Sequence, residues 1–209
     1  MTLAVLTHAS SLENEHQLIE KMFKRGLKNL HVRKPAYSKE QLKKYIEKFP
    51  REYRNKMIIH SHHSLALSMG LKGIHLTEKH RKDSFGVWKK FNLFRLVRPH
   101  MHISGSFHMI NDLKHNGGRF DYAFFSPVFE SISKENHKPD YSLRTIFNLL
   151  NNRKEINAIA LGGIENSNIT ACFETLFSGV ALSGYLWLSN NPVELFEEAK
   201  KTWEQNKKA

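Results

Sequence analysis

The 209-residue sequence holds one cysteine, Cys172, so an intrachain disulfide framework and a cysteine-built zinc site are both excluded. It has no apolar run near the ~20 residues that a bilayer span requires. Its first residues, Met1-Thr2-Leu3-Ala4-Val5-Leu6-Thr7, carry no basic segment and only a short apolar stretch. They are read as a first strand and not as a signal peptide. Together these absences point to a reducing cytoplasm as the expected location. No low-complexity linker interrupts the chain, so residues 1–209 are read as a single domain.

Acidic residues are also scarce: 20 against 32 lysines and arginines, for a net charge of +12. Such a field favours anionic partners. The basic residues, however, fall in pairs along helical stretches (Lys43-Lys44, Lys89-Lys90, Lys200-Lys201), as solvated helix faces do. No RNP-type aromatic motif or helix-turn-helix pattern accompanies the charge. Charge alone therefore decides little between phosphorylated metabolites, nucleic acid and membrane surfaces as partners.

What the sequence does have is alternation. Short apolar runs stand at Leu3–Leu6, Leu30–Val32, Met57–Ile59, Gly73–Leu76, Met101–Ile103, Tyr122–Phe125, Ala158–Leu161 and Val180–Leu182. Continuous apolar strands are expected where a parallel sheet is covered on both faces. Between them lie helical patterns, such as Leu18, Ile19, Met22 and Phe23 before Gly26, which suits a helix end. Ser38 with Gln41 forms a capping-box signature, and Pro192 suits the first turn of a last helix. Only Lys79–Arg98 gives a poorly defined helix. Eight strands at roughly 26 residues per unit fit a (β/α)8 TIM barrel better than a doubly wound sheet, which has fewer strands and a Gly-rich first turn.

In such barrels chemistry occurs at the C-terminal strand ends. There the sequence is rich in polar residues: His31 and Arg33, His60-Ser61, His75 with Glu78, Ser104-Gly105-Ser106, Gly162-Gly163 and Ser183-Gly184. Gly162-Gly163 and Ser183-Gly184 lie after strands seven and eight, where backbone amides can approach a phosphate. Ser131, Ser133 and Lys134 offer two hydroxyls and an ammonium to a phosphate or diphosphate. His60, His75 and His80 are candidates to meet around one ion, although their spacing matches no zinc motif, and acid–base or orienting roles suit neutral imidazoles equally. Cys172 is expected in the core.

Taken in order, these stretches resemble the thiamine phosphate synthase/TenI superfamily along nearly the whole chain. The segments that carry the resemblance are His31-Val32-Arg33-Lys34-Pro35, His60–Leu67, Gly73–Glu78, Ser106–Met109, Ser126–Lys134 and Ala160–Ile164. The resemblance implies a transferase that joins an aminopyrimidine methyl diphosphate to a thiazole phosphate and releases diphosphate. It also implies phosphorylated small molecules as partners, neither nucleic acid nor a membrane among them, and a homodimer as the expected assembly. By the same resemblance, Arg33, Ser131, Ser133 and Lys134 would hold diphosphate, Ser106 would contact the pyrimidine, and Gly162, Gly163 and Ser183 with Gly184 would bind the thiazole phosphate. His31 and His60 complete the candidate catalytic set, and Ser61 is a further candidate substrate-binding residue. The family's magnesium (Mg2+) is held by two aspartates; the matching positions here are Ser61 and His80, with Glu78 the nearby carboxylate. Two further readings follow from that departure: a TenI-like thiazole tautomerase and a non-catalytic binder of thiazole or thiamine phosphates.

Overall fold

A computed structural model describes residues 2–82, 84–130 and 139–207. Eight strands alternate with helices in the order β1 (Thr2–Leu6), α1 (Glu15–Lys24), β2 (Leu30–Val32), α2 (Lys39–Glu47), β3 (Met57–Ile59), α3 (Ser64–Ser68) and β4 (Gly73–Leu76). They continue with α4 (Glu78–Lys82), α5 (Ser84–Val97), β5 (His102–Phe107), α6 (Ile110–Asn116), β6 (Tyr122–Phe125) and α7 (Leu143–Asn152). The last are β7 (Ala158–Ala160), α8 (Ile169–Glu174), β8 (Gly179–Leu182), α9 (Gly184–Trp187) and α10 (Pro192–Asn206). Each strand pairs in parallel with the next, and β8 pairs with β1, so the sheet closes into a barrel. This is the expected (β/α)8 architecture. Among the described residues, no helix is long and apolar enough to cross a membrane.

Local sequence explains the helix ends. Ser38 Oγ accepts the Gln41 amide while the Gln41 side chain accepts the Ser38 amide, a complete capping box on α2. Gly26 takes a left-handed φ of 97° after α1, where a side chain would be strained. Pro192 opens α10, whose buried Val193, Phe196, Ala199 and Trp203 form one face. Cys172 is buried in α8, as expected of a core residue. The ill-defined Lys79–Arg98 stretch resolves into the two helices α4 and α5.

Strand periodicity then divides the core in two. Val5, Leu30, Val32, Met57, Ile59, Ile74, Leu76 and Ile103 belong to the large cluster between sheet and helices. Their neighbours Ala4, Leu6, Ile58, Tyr122, Phe124, Ile159 and Ala181 form a smaller cluster inside the barrel. Successive side chains of a strand point to opposite faces. The inward set therefore also takes in His31, His60, His75, Ser104 and Ser106. One boundary departs from expectation: β5 runs from His102 to Phe107, well past Ile103. Its serines continue the strand because the Ser104 and Ser106 hydroxyls find a partner, His75, inside the barrel.

Candidate active site

A cavity of about 460 Å³ opens at the C-terminal strand ends, lined by residues that include Arg33, His60, Glu78, Ser106, Gly162, Gly163, Ser183 and Gly184. Its positions follow from the strands that precede them. Arg33 is held by Thr7 from the neighbouring strand: the Arg33 amide donates to Thr7 Oγ1 at 2.9 Å, and that hydroxyl donates to the Arg33 carbonyl at 3.1 Å. Backbone clamping of this kind fixes where the guanidinium starts. Across the cavity, Gly162 and Gly163 both have positive φ, 89° and 66°. The carbonyl of Gly162 accepts the Phe129 amide at 3.1 Å, so this loop is tied to the one after β6.

Ser183 and Gly184 enter the cavity from the end of β8. The indole of Trp187, one turn further on, donates to the Leu6 carbonyl at 2.7 Å and pins α9 against β1. The first amides of a helix have no intrahelical acceptor, which leaves the start of α9 suited to an anionic oxygen. Ser106 lines the same cavity, with its hydroxyl 2.6 Å from His75 Nε2. His108 donates through Nδ1 to the Ser126 carbonyl at 2.7 Å, and its Nε2 stands 4.0 Å from Glu78 Oε2.

Three expectations need correction. His31 is not on the rim; it is 0% exposed beneath the cavity, because the middle residue of Leu30-His31-Val32 points into the barrel. His80 does not join His60 and His75. Its Nδ1 instead lies 3.1 Å from Thr77 Oγ1, and its ring packs on His63. The residue that completes the buried group is His31. Lys34, beside Arg33, is turned away from the cavity: its ammonium is buried against Glu15 Oε2 at 2.6 Å. Ser61 is half-buried and does not line the cavity. Ser131, Ser133 and Lys134 lie outside the described residues.

The histidine group is the least expected feature. His31 Nδ1 lies 3.0 Å from His60 Nε2, and His31 Nε2 lies 2.8 Å from the Tyr122 hydroxyl. His75 lies between Ser104, 2.9 Å from its Nδ1, and Ser106. Its ring stacks on His60 with centroids 4.1 Å apart. Burial drives the pKa of His31 down to about 3, and the nearby Lys72 charge adds to the effect. Burial, reinforced by the neighbouring imidazoles, also holds His60 and His75 well below the usual range. All three rings are therefore neutral at pH 7. Burial likewise raises the Tyr122 phenol, which stays protonated. Tyr122 and Phe124 also point into the barrel, and the apolar run Tyr122–Phe125 does not by itself mark them as neighbours of the histidines.

Magnesium requires oxygen donors. Among the described residues that line the cavity, Glu78 is the sole carboxylate, and the buried cluster offers imidazole nitrogens. This donor set does not fit magnesium.

A family model described as thiamine monophosphate synthase (TMP-TENI) matches residues 3–186. A thiamine-phosphate synthase of Bacteroides fragilis is 27% identical over 143 residues, covering 66% of this chain and 67% of that protein. A solved thiamine phosphate pyrophosphorylase of Bacteroides thetaiotaomicron is 26% identical, with a TM-score of 0.77 over 98% of each chain. The thiamine phosphate pyrophosphorylase of Pyrococcus furiosus shares the fold, with a TM-score of 0.78 at 18% identity over 98% of this chain and 96% of that one.

Proposed function

This chain belongs to the thiamine monophosphate synthase family, and on that premise we propose that it couples hydroxymethylpyrimidine diphosphate to hydroxyethylthiazole phosphate. What supports this reading is one cavity lined both by the ends of β7 and β8, with Gly162, Gly163, Ser183 and Gly184, and by Arg33 after β2, groups suited to anionic oxygens. Two phosphorylated substrates need such an arrangement.

In the proposed reaction the bond from the pyrimidine methylene to the diphosphate oxygen breaks, and the electron pair leaves with diphosphate. The thiazole nitrogen then gives its lone pair to the methylene carbon, forming the new C–N bond. Charge on the leaving group and the distance between the two rings control the rate, more than a strong base does. Arg33 supplies a permanent positive charge to the diphosphate. By family resemblance, Ser131, Ser133 and Lys134 join it there. Ser106, oriented by His75, contacts the pyrimidine. The glycine loop and Ser183 hold the thiazole phosphate.

His60 and His108 at the cavity wall favour a second reading, a thiazole tautomerase that moves protons on a thiazole carboxylate phosphate. Incubation with both synthase substrates and divalent ions, followed by fluorescent oxidation of the product, separates the two. Turnover to thiamine phosphate supports the synthase. If no product forms while calorimetry still detects thiazole phosphate binding, the synthase reading fails and a tautomerase or a non-catalytic binder replaces it.

A further inference from the structure

Beneath the cavity, one ring nitrogen from each of His31, His60 and His75 lies within 4.8 Å of the other two. His31 and His75 stand in β2 and β4 and His60 follows directly on β3, so the pairing of these adjacent strands sets their separation. We propose that these imidazoles form a binding site for a borderline divalent transition ion such as Zn2+ or Co2+, and that this site does not accept Mg2+. The inference is independent of the reaction proposed above, since it uses only the donor set and its surroundings.

Four observations converge on it. The donors are neutral nitrogens in a buried setting, which suits ions late in the first transition row and not hard cations. The outer nitrogen of His31 is already partnered as a metal-binding histidine requires: Tyr122 sits on His31 Nε2, leaving Nδ1 to face His60. Whichever nitrogen of His75 turns to the ion, the other keeps a serine, Ser104 or Ser106. His60 also lines the cavity, so the site is reached from the substrate side.

Two nitrogens bound to one ion at about 2.0–2.1 Å can be no more than about 4.2 Å apart, so any pair near 4.8 Å must close and the stacked His60 and His75 rings must turn as an ion enters. Three protein ligands leave one position open, as in catalytic zinc sites. Neutral imidazoles do not compensate the ion's charge, and Arg33 nearby adds to it. An anionic oxygen from the cavity, such as hydroxide or a phosphate oxygen, is therefore the favoured fourth ligand. The second histidine pair, His63 and His80, is a separate group whose rings are 5.0 Å apart.

The test is a Co2+ titration of the chelator-stripped full chain, read by visible d–d absorption and elemental analysis. The expected result is an absorption that saturates at a single equivalent, is displaced by Zn2+ and is unchanged by excess Mg2+. The double variant His31→Asn/His75→Asn loses the band, whereas His80→Asn keeps it. Because the double variant replaces core residues, Tyr122→Phe provides a milder check. Loss of the hydroxyl that orients His31 should weaken Co2+ binding roughly 10–100-fold. Absence of a saturating band in the wild type overturns the site. So does a band that survives the double variant, one that disappears in His80→Asn, or an affinity unchanged in Tyr122→Phe.

Discussion

The ammonium of Lys34 lies 2.6 Å from Glu15 Oε2, with both side chains closed off from solvent. The same carboxylate oxygen accepts the Tyr45 hydroxyl at 2.8 Å, and Oε1 accepts the His8 amide at 2.8 Å. Lys34 also donates to the Ser10 carbonyl at 2.8 Å and sits 5.0 Å from the Tyr45 ring centre. One buried pair thus ties the loop after β1, the start of α1, the loop after β2 and α2 together. The two adjacent cations at the end of β2 have divided roles. Lys34 fixes the frame from inside, and Arg33 faces the cavity.

Glu15→Gln should therefore destabilise the fold strongly. Removing one partner leaves the other charge buried without compensation, at a cost of about 3–5 kcal/mol. Replacing both partners, as Glu15→Leu/Lys34→Met, should cost clearly less than the single change, because no orphaned charge remains. Urea unfolding of the three proteins measures this directly. Equal losses for single and double variants would mean that packing, and not the charge pair, dominates.

The neutral histidines give stability a defined pH dependence. Below about pH 6.5 the imidazoles of the unfolded chain take up protons. In the folded barrel His31 does so only near pH 3. Across that window the unfolded state binds more protons, so stability falls as pH falls and is insensitive to these groups above it. Each such histidine contributes a slope of about 1.4 kcal/mol per pH unit, and His60 and His75 shift in the same direction. Chelator-treated protein should lose stability steeply between pH 6.5 and 5. A constant unfolding free energy from pH 7.5 to 5.5 would contradict a neutral cluster.

Features governed by near neighbours in the chain were legible in the sequence. The Ser38–Gln41 capping box, the left-handed Gly26 and the Pro192 helix start each depend on a few adjacent residues, and each stands as read. The bounds of β2, β3, β4 and β6 also match their apolar runs. What stayed hidden depends on closure. Whether His31 faces the helices or the barrel interior is fixed by the register of β2 against its neighbours, such as His31 opposite Ile58. An apolar run does not carry that information. Ser104 and Ser106 looked like loop residues for the same reason, since their partner His75 lies 29 and 31 positions away in the chain. The bond between Lys34 and Glu15 spans 19 positions and left no local trace.

Cys172 offers a probe of opening in the outer layer. It is 0% exposed in α8, and burial pushes its thiol up to about 12. Only the thiolate reacts readily. At pH 8 a disulfide reagent should leave the folded protein unmodified and label one thiol per chain in denaturant. Rapid labelling of the native protein would place Cys172 on an accessible face and contradict its packing on the buried side of α8.

The phosphate loop gives the last prediction. At Gly163, with φ of 66°, an added Cβ would meet the Glu130 carbonyl oxygen and come within 2.7 Å of Phe129 Cβ. The neighbouring Gly162 is similarly confined, its added Cβ 2.9 Å from Pro127 Cα. A side chain in the left-handed region costs about 1–2 kcal/mol before any clash. The backbone oxygen and the anchored loop after β6 cannot easily yield, so Gly163→Ala should push the loop out of place. Thiazole phosphate affinity, measured by calorimetry, is expected to fall by at least about ten-fold, equivalent to ~1.4 kcal/mol. Far-UV circular dichroism should still report a folded barrel, because the change lies beyond the strand end. If the variant binds thiazole phosphate as tightly as the wild type, this loop does not hold the phosphate, and the anion-binding role passes to Ser183 and Gly184 alone.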